Sequence, residues 1–241
     1  MTLPSQKYLA AIQRESEALA GAAEDNLGTQ VPTCPEWSVA DLVYHVGDVF
    51  WSWRQLVAER RQKGHTGEYA PRPADAEILA WFADETQQLV KTLSVDPATK
   101  VWTWSTDNTV GFVQRRMAQE ILVHRADAEV ARGAIGPADP ALAADGIDEF
   151  LQWFLPEEAE ALAGPGESIH LHATDTGDEW FVVLRDGSLT VTREHAKGDA
   201  AARAPVTDLL MLLWRRIPAS AVDVVGDAEA LDRFLARPAL T

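Results

Sequence analysis

Apolar residues recur every three to four positions up to about residue 155, and from near Ser168 the period changes to two. Tyr8, Leu9, Ile12 and Leu19 stand at roughly helical spacing between charged residues and predict a first helix from Pro4 to about Leu19. The next stretch, GAAEDNLGTQVPTCPEW, carries Gly21, Gly28, Pro32 and Pro35, which interrupt helix propagation and predict an extended loop. Ser38 followed by Asp41 has the form of an acidic capping box. Val39, Leu42, Val46, Val49, Phe50 and Trp53 then carry a second helix to about Arg61. A loop rich in Gly and Pro precedes a third helix, Glu77 to Leu93, with its stripe at Ile78, Leu79, Trp81, Phe82, Leu89, Val90 and Leu93. Asp96 to Gly111 mixes Trp, Thr and turn residues and predicts a shaped connection. A fourth helix is expected from near Gly111 to about Arg132, closed by Gly133. Four such helices with polar outer faces predict a four-helix bundle, and no sheet is expected before residue 130.

Beyond the linker-like GAIGPADPA, Leu142 to Leu155 predicts a fifth helix, stopped by Pro156 and followed by the acidic EEAEALAGPGE. SIHLHATD, EWFVVLRDG and SLTVTREH then alternate apolar and polar residues as strands do, with Asp186-Gly187 as the turn of a hairpin. Helices are expected again from Pro205 to Arg216 and from Ala228 to Leu235. The chain therefore divides into a helical domain over residues 1–134, a helical linker over 135–165 and a small α+β domain over 166–241.

Charge narrows the partners. With 37 acidic against 21 basic residues the formal net charge is -16, a field that repels nucleic-acid phosphates and anionic lipid. The N-terminal stretch has no apolar run of signal or membrane-spanning length, so a cytoplasmic protein is expected. The single cysteine, Cys34, excludes an internal disulfide and a Cys-rich zinc motif, and is expected to behave as a small apolar residue. No phosphate-binding loop, dinucleotide fingerprint or nucleophile elbow can be placed.

The candidate chemistry lies in VQRRMAQEILVHRADAEV. Glu120 and His124, four apart, present a carboxylate and an imidazole on one helical face, and His45 on the second helix is the best third donor. Asp41 or Asp48, each within a turn of His45, is expected to fix its tautomer. The competing reading is structural, with Glu120 satisfied by Arg116 one turn earlier. Arg116 and Arg125 are candidates to receive an anionic group of a substrate or thiol, with pairing to nearby acids as the alternative. Trp37, Trp51, Trp53, Trp102 and Trp104 either wall a pocket or fill the core. His170 and His172 share one strand face, but with no third donor in view they are expected at the surface. No role is assigned to His65 or His195.

VPTCPEWSVADLVYHVGDVFWSW, QEILVHRADAE, APVTDLLMLLWRR and VVGDAEAL together resemble the mycothiol-dependent maleylpyruvate isomerase family, over nearly the whole chain. The resemblance implies a DinB-like four-helix bundle followed by a sterol-carrier-like α+β domain. It also implies a divalent metal, usually zinc, on a His of helix two and a Glu-x-x-x-His of helix four, which fall here on His45, Glu120 and His124. Mycothiol as thiol co-substrate, a small electrophilic substrate and isomerase or S-transferase chemistry follow from it, with the protein a monomer or homodimer. The rival readings are a non-catalytic metal- or ligand-binding protein of the same fold, and an iron enzyme with a facial triad of two histidines and one carboxylate.

Overall fold

The structure, a computed structural model, describes residues 2–64, 67–156 and 166–238. It divides between Gly136 and Pro137 into two compact units.

In the N-terminal unit, α1 (Ser5–Ala23) buries Tyr8, Ile12, Leu19 and Ala23 at helical spacing and packs on α4 (Val110–Val130) and α3 (Asp75–Leu93). Helix α2 (Val39–Ala58) packs on α3 and α4. Its close approach to α3 depends on Gly47, where an added Cβ would come within 2.3 Å of the Trp81 ring. The capping box is present: the Asp41 backbone N–H donates to Ser38 Oγ at 3.2 Å, and the Ser38 N–H donates to Asp41 Oδ2 at 2.9 Å. Hydrogen bonds from Ser38, helped by Arg72, hold the Asp41 carboxyl down at about 2. Asp41→Ala is expected to destabilise the fold by about 1 kcal/mol at neutral pH. Because the folded pKa lies below the unfolded value of 3.8, that difference should vanish as the pH falls through 3.8 towards 2, which urea denaturation at several pH values would show.

Two features depart from the sequence-based expectation. The loop before α2 contains an antiparallel ribbon, β1 (Gln30–Val31) with β2 (Cys34–Ser38), so paired strands do occur before residue 130. Pro32 and Thr33 form the reversal between them, and the strands are too short for alternation to show. The outer polar face expected of the fourth helix is also missing. Arg115, Arg116, Gln119, Arg125 and Asp127 are buried, because α1, α2, α3 and β1 all touch α4. Buried polar side chains need partners, and Gln114 illustrates how they find them: its Nε2 donates to Leu93 O at 2.8 Å and its Oε1 accepts from Ser5 Oγ at 2.7 Å.

In the C-terminal unit, Asp139 caps α5 (Pro140–Glu149), and the helix continues as a π-turn over Phe150–Phe154. Residues 135–165 were expected as a linker, yet α5 packs on α6 (Val206–Leu213) as part of this unit. The apolar face formed by Leu142, Ala143 and Ile147 is thereby buried. The acidic run 157–165 lies outside the described residues. Five strands follow in the order β5-β4-β3-β6-β7: β3 (Glu167–Ala173), β4 (Glu179–Arg185), β5 (Ser188–Thr192), β6 (Ala200–Ala204) and β7 (Asp223–Gly226). All pairs are antiparallel except β3 with β6. Ile169, Leu171, Ala173, Trp180, Val182 and Leu184 form a buried sheet face, and α6 and α7 (Ala228–Ala236) pack against β3 and β6. The β4–β5 turn has positive φ at Asp186 (53°) and Gly187 (71°), as a two-residue hairpin turn of the favoured hand requires. No helix among the described residues is long and apolar enough to cross a membrane.

Candidate metal centre

Helix α2 contributes His45 and α4 contributes Glu120 and His124, and the three side chains meet at one carboxylate oxygen. Glu120 Oε1 lies 3.2 Å from His124 Nε2 and 3.6 Å from His45 Nε2. The two imidazoles stand nearly perpendicular, their centroids 5.0 Å apart. Donors bound to one ion at about 2.0–2.1 Å lie about 3.3 Å from one another at tetrahedral angles, so the set fits a small divalent cation with little movement. Side-chain exposure falls from 34% at His45 through 20% at Glu120 to 12% at His124, which opens the cluster on the His45 side.

Glu120 and His124 are each held from behind. Arg116, one turn before Glu120, donates from Nη2 to Glu120 Oε2 at 3.0 Å, leaving Oε1 to face the imidazoles. His124 Nδ1 is 2.9 Å from Asp127 Oδ2, and Thr33 Oγ, in the β1–β2 turn, donates to Asp127 Oδ1 at 2.6 Å. A carboxylate behind a histidine fixes the ring so that its other nitrogen points at the ligand position. Trp37, on β2, packs against His45 at 4.7 Å between ring centroids.

Electrostatics follow from this row of groups. Burial alone would raise the Glu120 carboxyl, but His124, His45 and Arg116 hold it well below the ordinary carboxylate range. Burial would likewise lower His124, yet Glu120 and Asp127 on either side raise it to about 9. Without an ion, therefore, His124 is an imidazolium between two carboxylates, and a metal must displace its proton.

Asp127 escaped the sequence reading, although its spacing of three from His124 was a signal for it. Asp41 and Asp48, expected behind His45, are engaged elsewhere: Asp41 with Ser38 and Arg72, and Asp48 Oδ1 as acceptor from the Ala70 N–H at 2.6 Å. Arg125 is buried, its Nε 3.0 Å from Glu15 Oε2, and its Nη2 donates to Gly136 O at 3.2 Å, which is the pairing alternative to anion capture. Arg116 pairs in the same way. Of the five tryptophans, Trp37 reaches a donor of the cluster, while Trp53 stacks on Trp102 and Trp104 meets the Phe112 edge. Trp51 is half-buried on α2. Cys34 is half-buried on β2. His170, expected at the surface, is instead buried at 6% exposure, and a third donor and a fourth do lie beside it and His172. His65 falls outside the described residues.

The family profile described as the mycothiol maleylpyruvate isomerase N-terminal domain matches residues 8–129, and that of the corresponding C-terminal domain matches residues 141–233. Among solved structures, a mycothiol-dependent maleylpyruvate isomerase superposes with a TM-score of 0.63 at 14% identity, over 95% of this chain and 98% of that one. A histidine-to-alanine mutant of that enzyme gives 0.64 with the same identity and coverage. No curated protein sequence matches significantly.

Proposed function

The chain belongs to the mycothiol maleylpyruvate isomerase family, and on that premise we propose that it is an enzyme using a divalent metal, zinc in the first instance, and a low-molecular-weight thiol to attack a small electrophile. The observation that carries the reading is the convergence of His45 Nε2 and His124 Nε2 on Glu120 Oε1, with His124 backed by a buried carboxylate. Three protein donors leave a coordination position for an incoming group. A bound divalent cation supplies Lewis acidity there, lowering the pKa of a thiol so that thiolate is present at neutral pH.

The residues of the chain do the rest. Arg116 holds Glu120 so that one oxygen faces the donors, and Asp127 holds the His124 ring with Nε2 forward. Trp37 packs against the His45 ring and restricts its orientation. The nucleophile arrives with the co-substrate, for which the family points to mycothiol, and the protein itself supplies none. For an isomerase, the thiolate sulfur adds to an activated double bond, the new single bond rotates, and loss of the same thiolate restores the double bond. For a transferase, the sulfur instead displaces a leaving group.

The test is turnover of electrophiles, including maleylpyruvate, by chelator-treated and metal-restored protein purified without a histidine tag, with and without mycothiol. Activity should require both metal and thiol, and Cys34→Ser should retain it. Full activity without any thiol would sink the reading, and dependence on iron and oxygen in its place would establish the facial-triad alternative.

A further inference from the structure

The central strand of the C-terminal sheet carries histidines on the face opposite Ile169 and Leu171. His172 on β3 pairs directly with Glu179 on β4, and His170 lies two residues earlier on the same face. His195, in the segment between β5 and β6, comes back over them. Glu179 Oε1 lies 2.7 Å from His172 Nδ1, 2.9 Å from His195 Nδ1 and 3.9 Å from His170 Nε2. The three rings are mutually edge-on, at 85° to 86°, with centroids 5.0 to 6.5 Å apart. They face a common point and do not stack.

Two of the imidazoles are accounted for by Glu179, His195 by a hydrogen bond and His172 by an ion-pair contact. His170 is not. It is 6% exposed, and its Nε2 is buried with no hydrogen-bond partner among the described residues. A buried nitrogen left unpaired is costly, and this one is aimed into a ring of three other donors. One ligand atom from each of the four residues lies within 4.8 Å of the others. The nearby guanidinium groups are already matched, Arg193 with Asp148 and Asp178, and Arg203 with Asp223.

We propose that His170, His172, Glu179 and His195 form a second zinc site, separate in the chain from His45, Glu120 and His124. Three imidazoles and a carboxylate are donors that Zn²⁺ accepts, and four protein ligands fill a tetrahedral shell. A spacing of about 3.3 Å between donors asks the 2.7 and 2.9 Å contacts of Glu179 to open and the 3.9 Å contact to close, small shifts in which His195, with a side chain 76% exposed, is the least confined partner. With its shell full, this ion has a structural role: it pins the segment between β5 and β6 to the sheet and gives His170 Nε2 its partner.

The experiment is zinc titration of tag-free, metal-stripped full-length protein by equilibrium dialysis, with thermal unfolding on the same samples. The expected result is two zinc ions per chain, with one retained by His45→Ala. His195→Ala, at an exposed position that leaves the fold intact by circular dichroism, should weaken the second site by about 100-fold or more, as should Glu179→Gln. Zinc should raise the melting temperature of His45→Ala and leave that of His45→Ala/His195→Ala unchanged. A wild-type stoichiometry of one that His45→Ala abolishes would overturn the proposal. So would retention of both ions by His195→Ala, or occupancy of the second site only at free zinc far above the protein concentration.

Discussion

Glu120→Gln is expected to do two separable things, whereas His45→Ala does only one. Glu120 is the carboxylate between the His124 imidazolium and the buried Arg116, so neutralising it weakens both ion pairs. The metal-free protein should lose about 2–3 kcal/mol, less than for a fully buried pair because Gln keeps the shape and one-fifth of the side chain is exposed. Metal affinity falls as well, because a negative charge is lost from the donors that would hold the ion. His45→Ala leaves the Arg116–Glu120–His124–Asp127 row intact, so the metal-free protein should stay within about 1 kcal/mol of wild type while losing the ion. Urea denaturation of chelator-treated samples gives the first quantity. Metal content gives the second, in a His195→Ala background so that only this cluster is counted. Stoichiometric metal retained there by His45→Ala would mean that the third donor has been misidentified. The pH dependence carries its own sign. His124 has a folded pKa of about 9 against 6.5, so it stabilises the metal-free fold fully below 6.5, and that contribution is lost as the pH rises through 9. Metal affinity runs the other way, rising about tenfold per pH unit from 7 towards 9 as the competing proton is lost.

Arg54→Ala should produce the largest loss of stability. Arg54 on α2 makes a paired contact with Glu85 on α3, from Nε to Oε2 at 3.0 Å and from Nη2 to Oε1 at 3.2 Å, where Glu85 is only 5% exposed. Removing the guanidinium strands a carboxylate between two helices, which costs about 3–5 kcal/mol. Burial already raises the Glu85 carboxyl against the pull of Arg54, and in the variant it should rise further. A folded pKa above the unfolded value means stability falls as the pH rises. The deficit should therefore be smaller at pH 5 than at pH 8, because lower pH favours the neutral form of the Glu85 carboxyl. Arg54→Ala/Glu85→Gln should recover part of it. An equal deficit at both pH values would show that lost packing of the Arg54 stem dominates.

The four helices of the N-terminal unit were legible because each carries apolar positions at helical spacing over at least four turns, and two boundaries were marked by residues with a single strong use, Ser38 as a cap and Asp186-Gly187 as a turn. The short ribbon at residues 30–38 was not legible, since two- and five-residue strands leave no period to read. Strand β6 was hidden by its composition: AAARA favours helix in isolation and is extended here because small side chains fit where α6 and α7 cover β3 and β6. The three donors around Glu120 follow from helical spacing and one guess across helices. Asp127 was within reach of the same reasoning. The histidines around Glu179 were not, because their meeting depends on β3–β4 register and on a segment folding back, and neither leaves a local trace.

The docking of α1 on α4 joins the two ends of the helical domain, with α2 and α3 between them in the chain. Contacts between such distant segments carry the largest loop-closure cost and tend to form late in folding. An ion that needs donors from both α2 and α4 therefore finds its site only once the last helix has docked. It acts as a latch on the finished domain, and its stabilisation falls on the rate of unfolding and leaves the rate of folding nearly unchanged.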